Sequence, residues 1–377
     1  MEDRPDGRHH PEEMVNGRRK LEKLRIGLMA PPWFSVPPTG YGGIERVVSV
    51  LAEGLVRRGH DVTLFAAGGS QTGARLVSTF ETPPSRQIGN WMVEALSTLD
   101  AYAFHRDFDV IHDHSSVGPL VAPFINTPVV HTVHGKLYPE AAALYCRLAH
   151  KLSYVCISED QQSSMPKCTR STVIHNGIDT CLYPFNGAGG EYLLFVGRMS
   201  PDKGVVEAIE IARRTQRRLL ILAKINEDSE REYFDSHVVP ALDGVDAEVV
   251  EHASHEFKAA AYGNALATLF PIKWREPFGL VMTESMATGT PVIAFRNGSV
   301  PEVIADGETG FICETVDEAC ALVERAREID RRACRERVEA LFSGEQMVLR
   351  HEELYAEVVG CKFGRTKGTP MLALPAS

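Results

Sequence analysis

The sequence predicts an α/β protein made of two doubly wound domains in tandem. Three observations carry that reading. Apolar strand-like runs alternate with segments of helical period along the chain. The alternation breaks once, at residues 180–190 (TCLYPFNGAGG), and then starts again. A length of 377 residues suits two domains that each bury a core of their own.

Residues 25–30 (RIGLMA) form the first expected strand. After a Pro/Gly loop, Ile44, Val47, Val48, Leu51 and Leu55 recur at helical spacing, and Gly59 stops that helix. Further strands are expected at 61–66, 109–111, 128–133, 153–157 and 172–174, completing a first domain over 24–180. Residues 181–190 serve as the linker. The second domain, 191–343, opens on EYLLFV and continues with strands at 219–222, 265–270 and 291–295. Residues 1–23 are polar and read as a disordered leader without the apolar centre of a secretory signal, and residues 361–377 read as a flexible tail.

Composition narrows the function. A formal net charge of -10 argues against nucleic acid as a partner, since phosphate backbones are held by clustered Lys and Arg. No stretch reaches the roughly 18 to 20 apolar residues of a membrane span. The eight cysteines contain no C-x-x-C pair and are expected to be buried, reduced thiols of a cytoplasmic protein. The sequence leaves the oligomeric state open.

Two parallel sheets of this kind place ligands at the carboxyl ends of their strands, so the expected site is the cleft between domains. The first loop there holds Gly40, Gly42 and Gly43 ahead of a helix N-terminus, a ready anion site that also reads as a tight turn. It is not a dinucleotide fingerprint, because Glu45 stands where the third glycine belongs and no acid ends the second strand. In the second domain, Arg198 and Lys203 flank a strand-to-helix turn. One brings a planar fork of donors and the other a point charge, a pair suited to a diphosphate; the plainer reading is two solvated cations. Further on, EPFGLVMTE places Glu276 in a loop and Glu284 about two turns into the following helix, with free N–H groups near Gly279, Leu280 and Val281 between them. His112 and His114 share one side of a strand, but no further ligands stand at metal-site spacing, so no metal is expected.

E-P-F-G-L-V-x-x-E, G-R-x-x-x-x-K-G, the early G-G loop, the segment TVHG at 132–135 and NGID at 176–179 together resemble the family 4 glycosyltransferases of GT-B fold. The likeness runs from about residue 25 to residue 358, and the loop SVPPTGYGG at 35–43 is similar to that of the avilamycin enzyme, an antibiotic-tailoring member. The resemblance implies two Rossmann-like domains whose parallel sheets face each other across a cleft. It implies that Glu284 holds the donor ribose and Glu276 the hydroxyls of the transferred sugar. Arg198 and Lys203 would grip the diphosphate with backbone groups at Gly42, Gly43, Phe278, Gly279, Leu280 and Val281. His134 would approach the sugar from the first domain.

The implied reaction is retaining transfer of a hexose-type sugar from a nucleoside-diphosphate sugar, UDP-linked in preference to GDP-linked, without metal or cofactor. The acceptor, a small molecule, glycan or lipid, would meet the first domain's loops, where Trp33, Phe34 and Tyr41 are the candidates. A terminal helix over 344–360, with Leu349, Leu354, Tyr355 and Val358 as its stripe, would fold back on the first domain. Two departures lie near the nucleobase position: Ala223-Lys224-Ile225 replaces a common Gly-x-Gly turn, and Glu251-His252-Ala253 replaces a common Gly-Glu pair. The rival readings are a nucleotide-sugar epimerase of the same architecture and a non-catalytic nucleotide-sugar sensor.

Overall fold

The computed structural model describes residues 22–40 and 42–363, together with an antiparallel pair of two-residue strands, Met14–Val15 and Arg18–Arg19. Most of the leader, Tyr41 and residues 364–377 lie outside the described residues, and with them one acceptor candidate and all of the expected tail but residues 361–363, which continue the last helix.

Seven strands make the first sheet: β1 (Arg25–Met29), β2 (Asp61–Phe65), β3 (Arg75–Val77), β4 (Val110–Asp113), β5 (Val129–Val133), β6 (Leu152–Cys156) and β7 (Ser171–Val173). Every pairing is parallel, in the order β3-β2-β1-β4-β5-β6-β7. The second sheet holds β8 (Tyr192–Arg198), β9 (Leu219–Lys224), β10 (Ala247–Glu251), β11 (Ala265–Phe270), β12 (Val292–Phe295) and β13 (Gly310–Cys313). Its order, β10-β9-β8-β11-β12-β13, repeats that of the first sheet's leading six strands. In both sheets the order reverses beside the opening strand, which is where such sheets leave a crevice for ligands. The structure is thus the expected pair of Rossmann-like α/β domains.

The central strands form because runs such as RIGLM and ALATLF are apolar on both faces and can be covered by helices on both sides. The edge strands β3, β10 and β13 are additions to the sequence reading. Residues Arg75 and Leu76 of β3 are exposed, as are Glu248 and Glu251 of β10.

Helix α1 (Gly43–Arg57) buries Val47, Val48, Leu51 and Leu55 on the first sheet. In the second domain, α2 (Val205–Thr215) buries Val205, Ala208, Ile209 and Ala212, and the short α3 (Leu280–Ala287) is almost wholly inside. The last helix, α4 (Gly344–Phe363), returns to the first domain. Its Met347, Val348, Leu354, Tyr355 and Val358 share one apolar cluster with α1 and β1, while Leu349 is only half-buried. Close approach of α1 to α4 requires Gly54, since a Cβ there would stand 2.4 Å from Val348 Cγ2.

The two chain crossings between domains are bonded to each other. Ile178 donates its N–H to Phe342 (3.0 Å), and Gly344 returns one to Ile178 (2.9 Å). Asp179 caps the turn that follows by accepting from the Cys181 N–H at 3.0 Å.

One expectation is overturned. Cys146 and Cys168 form a disulfide, their Cα atoms 5.7 Å apart, instead of two reduced thiols. A separation of 22 residues carries no pairing signal; the fold brings the helix Pro139–Leu148 beside the loop preceding β7. The cysteines therefore no longer support a cytoplasmic assignment, although Cys156, Cys313 and Cys334 are buried free thiols. Among the described residues no helix is long and apolar enough to cross a membrane.

Candidate active site

The carboxyl ends of β1 and β8 face each other across a cleft of about 550 Å³. On the first domain's side, the loop after β1 turns at Gly42, whose φ of 150° and approach to Pro38 leave no room for a Cβ, and α1 starts at Gly43. Its first turn points Glu45 and Arg46 at the cleft. Trp33 and Phe34, from the same loop, line the cleft with Ile88, and Ser85 Oγ ties the two loops by donating to the Trp33 carbonyl at 2.6 Å. His134 follows β5 directly and completes this wall.

The second domain contributes the charged groups. Arg198 is the last residue of β8, and Gly204 makes a left-handed turn (φ 75°) that brings Lys203 back beside it before α2 begins. Both line the cleft, as does the loop 271–279 leading into α3. Lys203 Nζ lies 2.7 Å from Glu276 Oε2 and 4.8 Å from the centre of the Trp274 ring, whose Nε1 donates to the same carboxylate oxygen at 2.9 Å. Arg198 is more loosely held, 3.5 Å from Asp202 and 3.8 Å from Glu230. The loop carrying Glu276 is rigid: Ser299 donates its N–H to the Glu276 carbonyl (3.0 Å) and its hydroxyl to the Phe278 carbonyl (2.8 Å). Gly279 turns at φ 79° and leaves the first N–H groups of α3 without intrahelical partners, facing the same space as Arg198 and Lys203.

Glu284 sits in the second turn of α3, nearer its start than the sequence reading has it, because the helix begins at Leu280. It borders the cleft yet is buried, and four donor contacts fill its oxygens. Tyr183 Oη lies at 2.7 Å, Tyr262 Oη at 3.0 Å, and Lys258 Nζ at 2.8 and 2.9 Å from the two oxygens. Burial pushes this carboxyl up, but the charges of Lys258 and Arg46 and the hydrogen bonds override it and hold the group below the ordinary range. Any hydroxyl reaching Glu284 must share it with one of these donors.

The opposite balance holds at Glu45. It is 3% exposed, and burial pushes its carboxyl up to about 7. The two departures from the family pattern also face the cleft: Ala223, Lys224, His252 and Ala253 line it, and His252 adopts a left-handed φ of 53° that most residues avoid.

His112 bonds Tyr355 Oη and Thr132 Oγ1, both at 2.7 Å, and no cluster able to hold a metal is found among the described residues. Two contacts lock the domains near the cleft. Arg275 grips Asp160 at 2.7 and 2.8 Å, and Glu302 accepts the N–H groups of Glu159 and Asp160 at 2.7 Å each.

The structure therefore brings together Arg198, Lys203, Glu276, Glu284, Gly42, Gly43, Phe278, Gly279, Leu280, Val281, His134, Trp33 and Phe34. Sequence reasoning missed Glu45, Arg46, Lys258 and Trp274. Glu45 left a trace as the residue displacing a glycine from the fingerprint; Lys258, isolated in an Ala-rich helix, left none.

Residues 41–181 match the family model described as Glycosyltransferase Family 4, and residues 186–337 match that of Glycosyl transferases group 1. The glycogen synthase of Mycobacterium tuberculosis is 25% identical over 405 residues, covering 90% of this chain and 96% of that one. Two solved structures share the fold. A glycosyltransferase involved in avilamycin A biosynthesis has a TM-score of 0.67 at 23% identity, over 89% of this chain and 98% of that one. The Anabaena protein HepE, solved with UDP and glucose, has a TM-score of 0.69 at 17% identity, over 88% and 99%. With a first half of one model, a second half of the other and two facing sheets between them, the chain belongs to the family 4 glycosyltransferases of GT-B fold.

Proposed function

We propose that this glycosyltransferase moves a hexose-type sugar from a nucleoside-diphosphate sugar to an acceptor hydroxyl, with retention of configuration and without a metal ion. The observation that carries the reading is the convergence of Arg198, Lys203 and the start of α3 on one face of the cleft, with Glu276 between them. Breaking the bond from the anomeric carbon to the phosphate oxygen sends its electron pair to the diphosphate. Donors already aimed at that growing charge are the strongest form of assistance a site offers, each tenfold in rate requiring about 1.4 kcal/mol.

The acceptor oxygen then bonds the anomeric carbon on the face the diphosphate leaves, and its proton passes to the departing phosphate oxygen. A double displacement needs a carboxylate beneath the anomeric carbon. Glu276, tethered by Lys203 and Trp274, is instead disposed toward sugar hydroxyls. A uridine donor is the first choice, in keeping with the UDP bound by HepE, and a guanosine donor the second.

The test is nucleoside-diphosphate release from a panel of nucleotide sugars, with and without chelator, in the wild type and in Arg198→Ala and Lys203→Ala. The reading expects turnover that survives chelation and falls in both variants more than donor affinity does. Activity lost on chelation and restored by manganese would remove the role given to the two cations.

A further inference from the structure

Behind the cleft wall that carries His134 lies a row of buried imidazoles. The rings of His351, His112, His114 and His134 follow one another with centroids 5.0, 4.1 and 5.0 Å apart. The row ends on a direct contact, His114 Nδ1 to His134 Nε2 at 2.7 Å. Burial holds both rings well toward the neutral form, His134 down to about 3. Each then carries a single proton, and across the contact one ring donates while the other accepts.

The far nitrogen of His114 decides which. His114 Nε2 is buried and has no partner among the described residues. Were His114 the acceptor, its own proton would sit on Nε2, as a buried N–H bonded to nothing. Were it the donor, Nε2 would be an unused lone pair. Orphaned buried N–H groups are the rarer of the two. The next ring back shows the tolerated case: His351 Nδ1 faces the Met347 carbonyl at 2.8 Å and must donate to it, so its buried Nε2 is a lone pair without a partner among the described residues.

We infer that His114 is a positioning residue that donates from Nδ1 to His134 Nε2 and thereby places the His134 proton on Nδ1, its remaining nitrogen. Resting on the proposed role of His134 at the substrate, this makes that side chain a hydrogen-bond donor to an oxygen of the sugar or acceptor. It also bars His134 from acting as the base that takes the acceptor proton, because the nitrogen left to it is already protonated. That proton goes to the leaving phosphate oxygen, as in the front-face reaction above. Sequence alone could not suggest the pairing, since the residues lie 20 positions apart, each just past the end of one of the adjacent strands β4 and β5.

The test is the protonation site of His134 in the full chain, read from two-bond proton–nitrogen correlation spectra of protein labelled with nitrogen-15 histidine, with His134→Gln assigning the resonances. The expected wild-type spectrum shows Nδ1 protonated and Nε2 bare. His134 protonated on Nε2 overturns the inference whatever the activity, and needs no variant to fold. His114→Asn, which keeps a donor near the Nδ1 position, should retain the tautomer and near-normal turnover. His114→Phe, which offers no donor, should release it and lower turnover about threefold to tenfold, the worth of one hydrogen bond, with little change in donor KM. If the wild-type tautomer is as expected but His134→Gln and His114→Phe both turn over normally, the tautomer assignment stands and the contact of His134 with substrate fails.

Discussion

Replacing Glu45 with glutamine should make the stability of this protein less sensitive to pH, in a direction the burial of that carboxyl fixes. Glu45 lies in the first turn of α1 at 3% exposure, and its carboxyl is pushed from an ordinary value of 4.5 to about 7 by loss of water around the charged form. A folded state that holds a proton more tightly than the unfolded chain is favoured at low pH. The stability tied to this group is complete below 4.5 and is lost as pH rises through about 7. At about 1.4 kcal/mol for each pH unit between the two values, the loss is roughly 3 kcal/mol. Glutamine keeps the shape and cannot ionise. Equilibrium urea unfolding of both proteins, followed by circular dichroism at several pH values, should show the variant gaining on the wild type by roughly 2 to 3 kcal/mol from pH 5 to pH 8. A gap that is the same at both ends would mean that Glu45 titrates as a solvated carboxyl, and the account of its burial would be wrong.

Three further outcomes test separate parts of the structure. Gly54→Ala should destabilise by about 1 kcal/mol, because helix propensity gains up to about 1 kcal/mol while forcing a Cβ against the buried Val348 costs about 1 to 3; unchanged or raised stability would show that α1 and α4 are not in close contact. Lys258→Met should cost about 3 kcal/mol near neutral pH by stranding the buried Glu284 carboxylate, and adding Glu284→Gln should recover most of it, a recovery whose absence would mean the pair is not coupled. Glu276→Ala should leave the binding of free nucleoside diphosphate nearly intact or improved while weakening the intact donor about tenfold, read by calorimetric titration with each ligand; equal losses for both would refute the placement of the sugar.

The parts of this fold visible in the sequence are those whose physics is local. A strand buried on both faces, such as LLFV in β8, is apolar throughout, and the glycines at 42, 204 and 279 mark backbone turns whose positive φ only that residue adopts easily. The same locality makes Arg198, Lys203 and Glu276 legible, because each sits where a strand gives way to a helix. What stayed hidden depends on distant segments meeting. Glu45 reads as an ordinary first-turn acid until the fold removes its water. Lys258 acquires meaning only when its helix lays it against Glu284, 26 residues on, and the Cys146–Cys168 bond likewise depends on a helix packing beside a loop. Edge strands β3 and β10 escaped for the reverse reason: with little of their surface buried, they need little apolar sequence.

The charged groups of the cleft are neutralised by one another, and that arrangement bears on what the enzyme selects. Lys203 is paired with Glu276, and Lys258 with Glu284, each pair largely shielded from water. Removing one partner of a shielded pair leaves a stranded charge at a cost of about 3 to 5 kcal/mol, so neither cation is free for a ligand unless its carboxylate is satisfied in the same event. A diphosphate that drew Lys203 to itself would strand Glu276, leaving it the Trp274 N–H among the described residues. A diphosphate with its sugar attached supplies hydroxyls to that carboxylate as it takes the lysine. Under the proposed function, the intact donor would thus exchange one pairing for two compatible ones, while the sugar-free product would leave a carboxylate unsatisfied and be released. Under the same proposal, Glu276 has two effects: it meets the sugar of the incoming donor, and it keeps the spent nucleotide from holding the site.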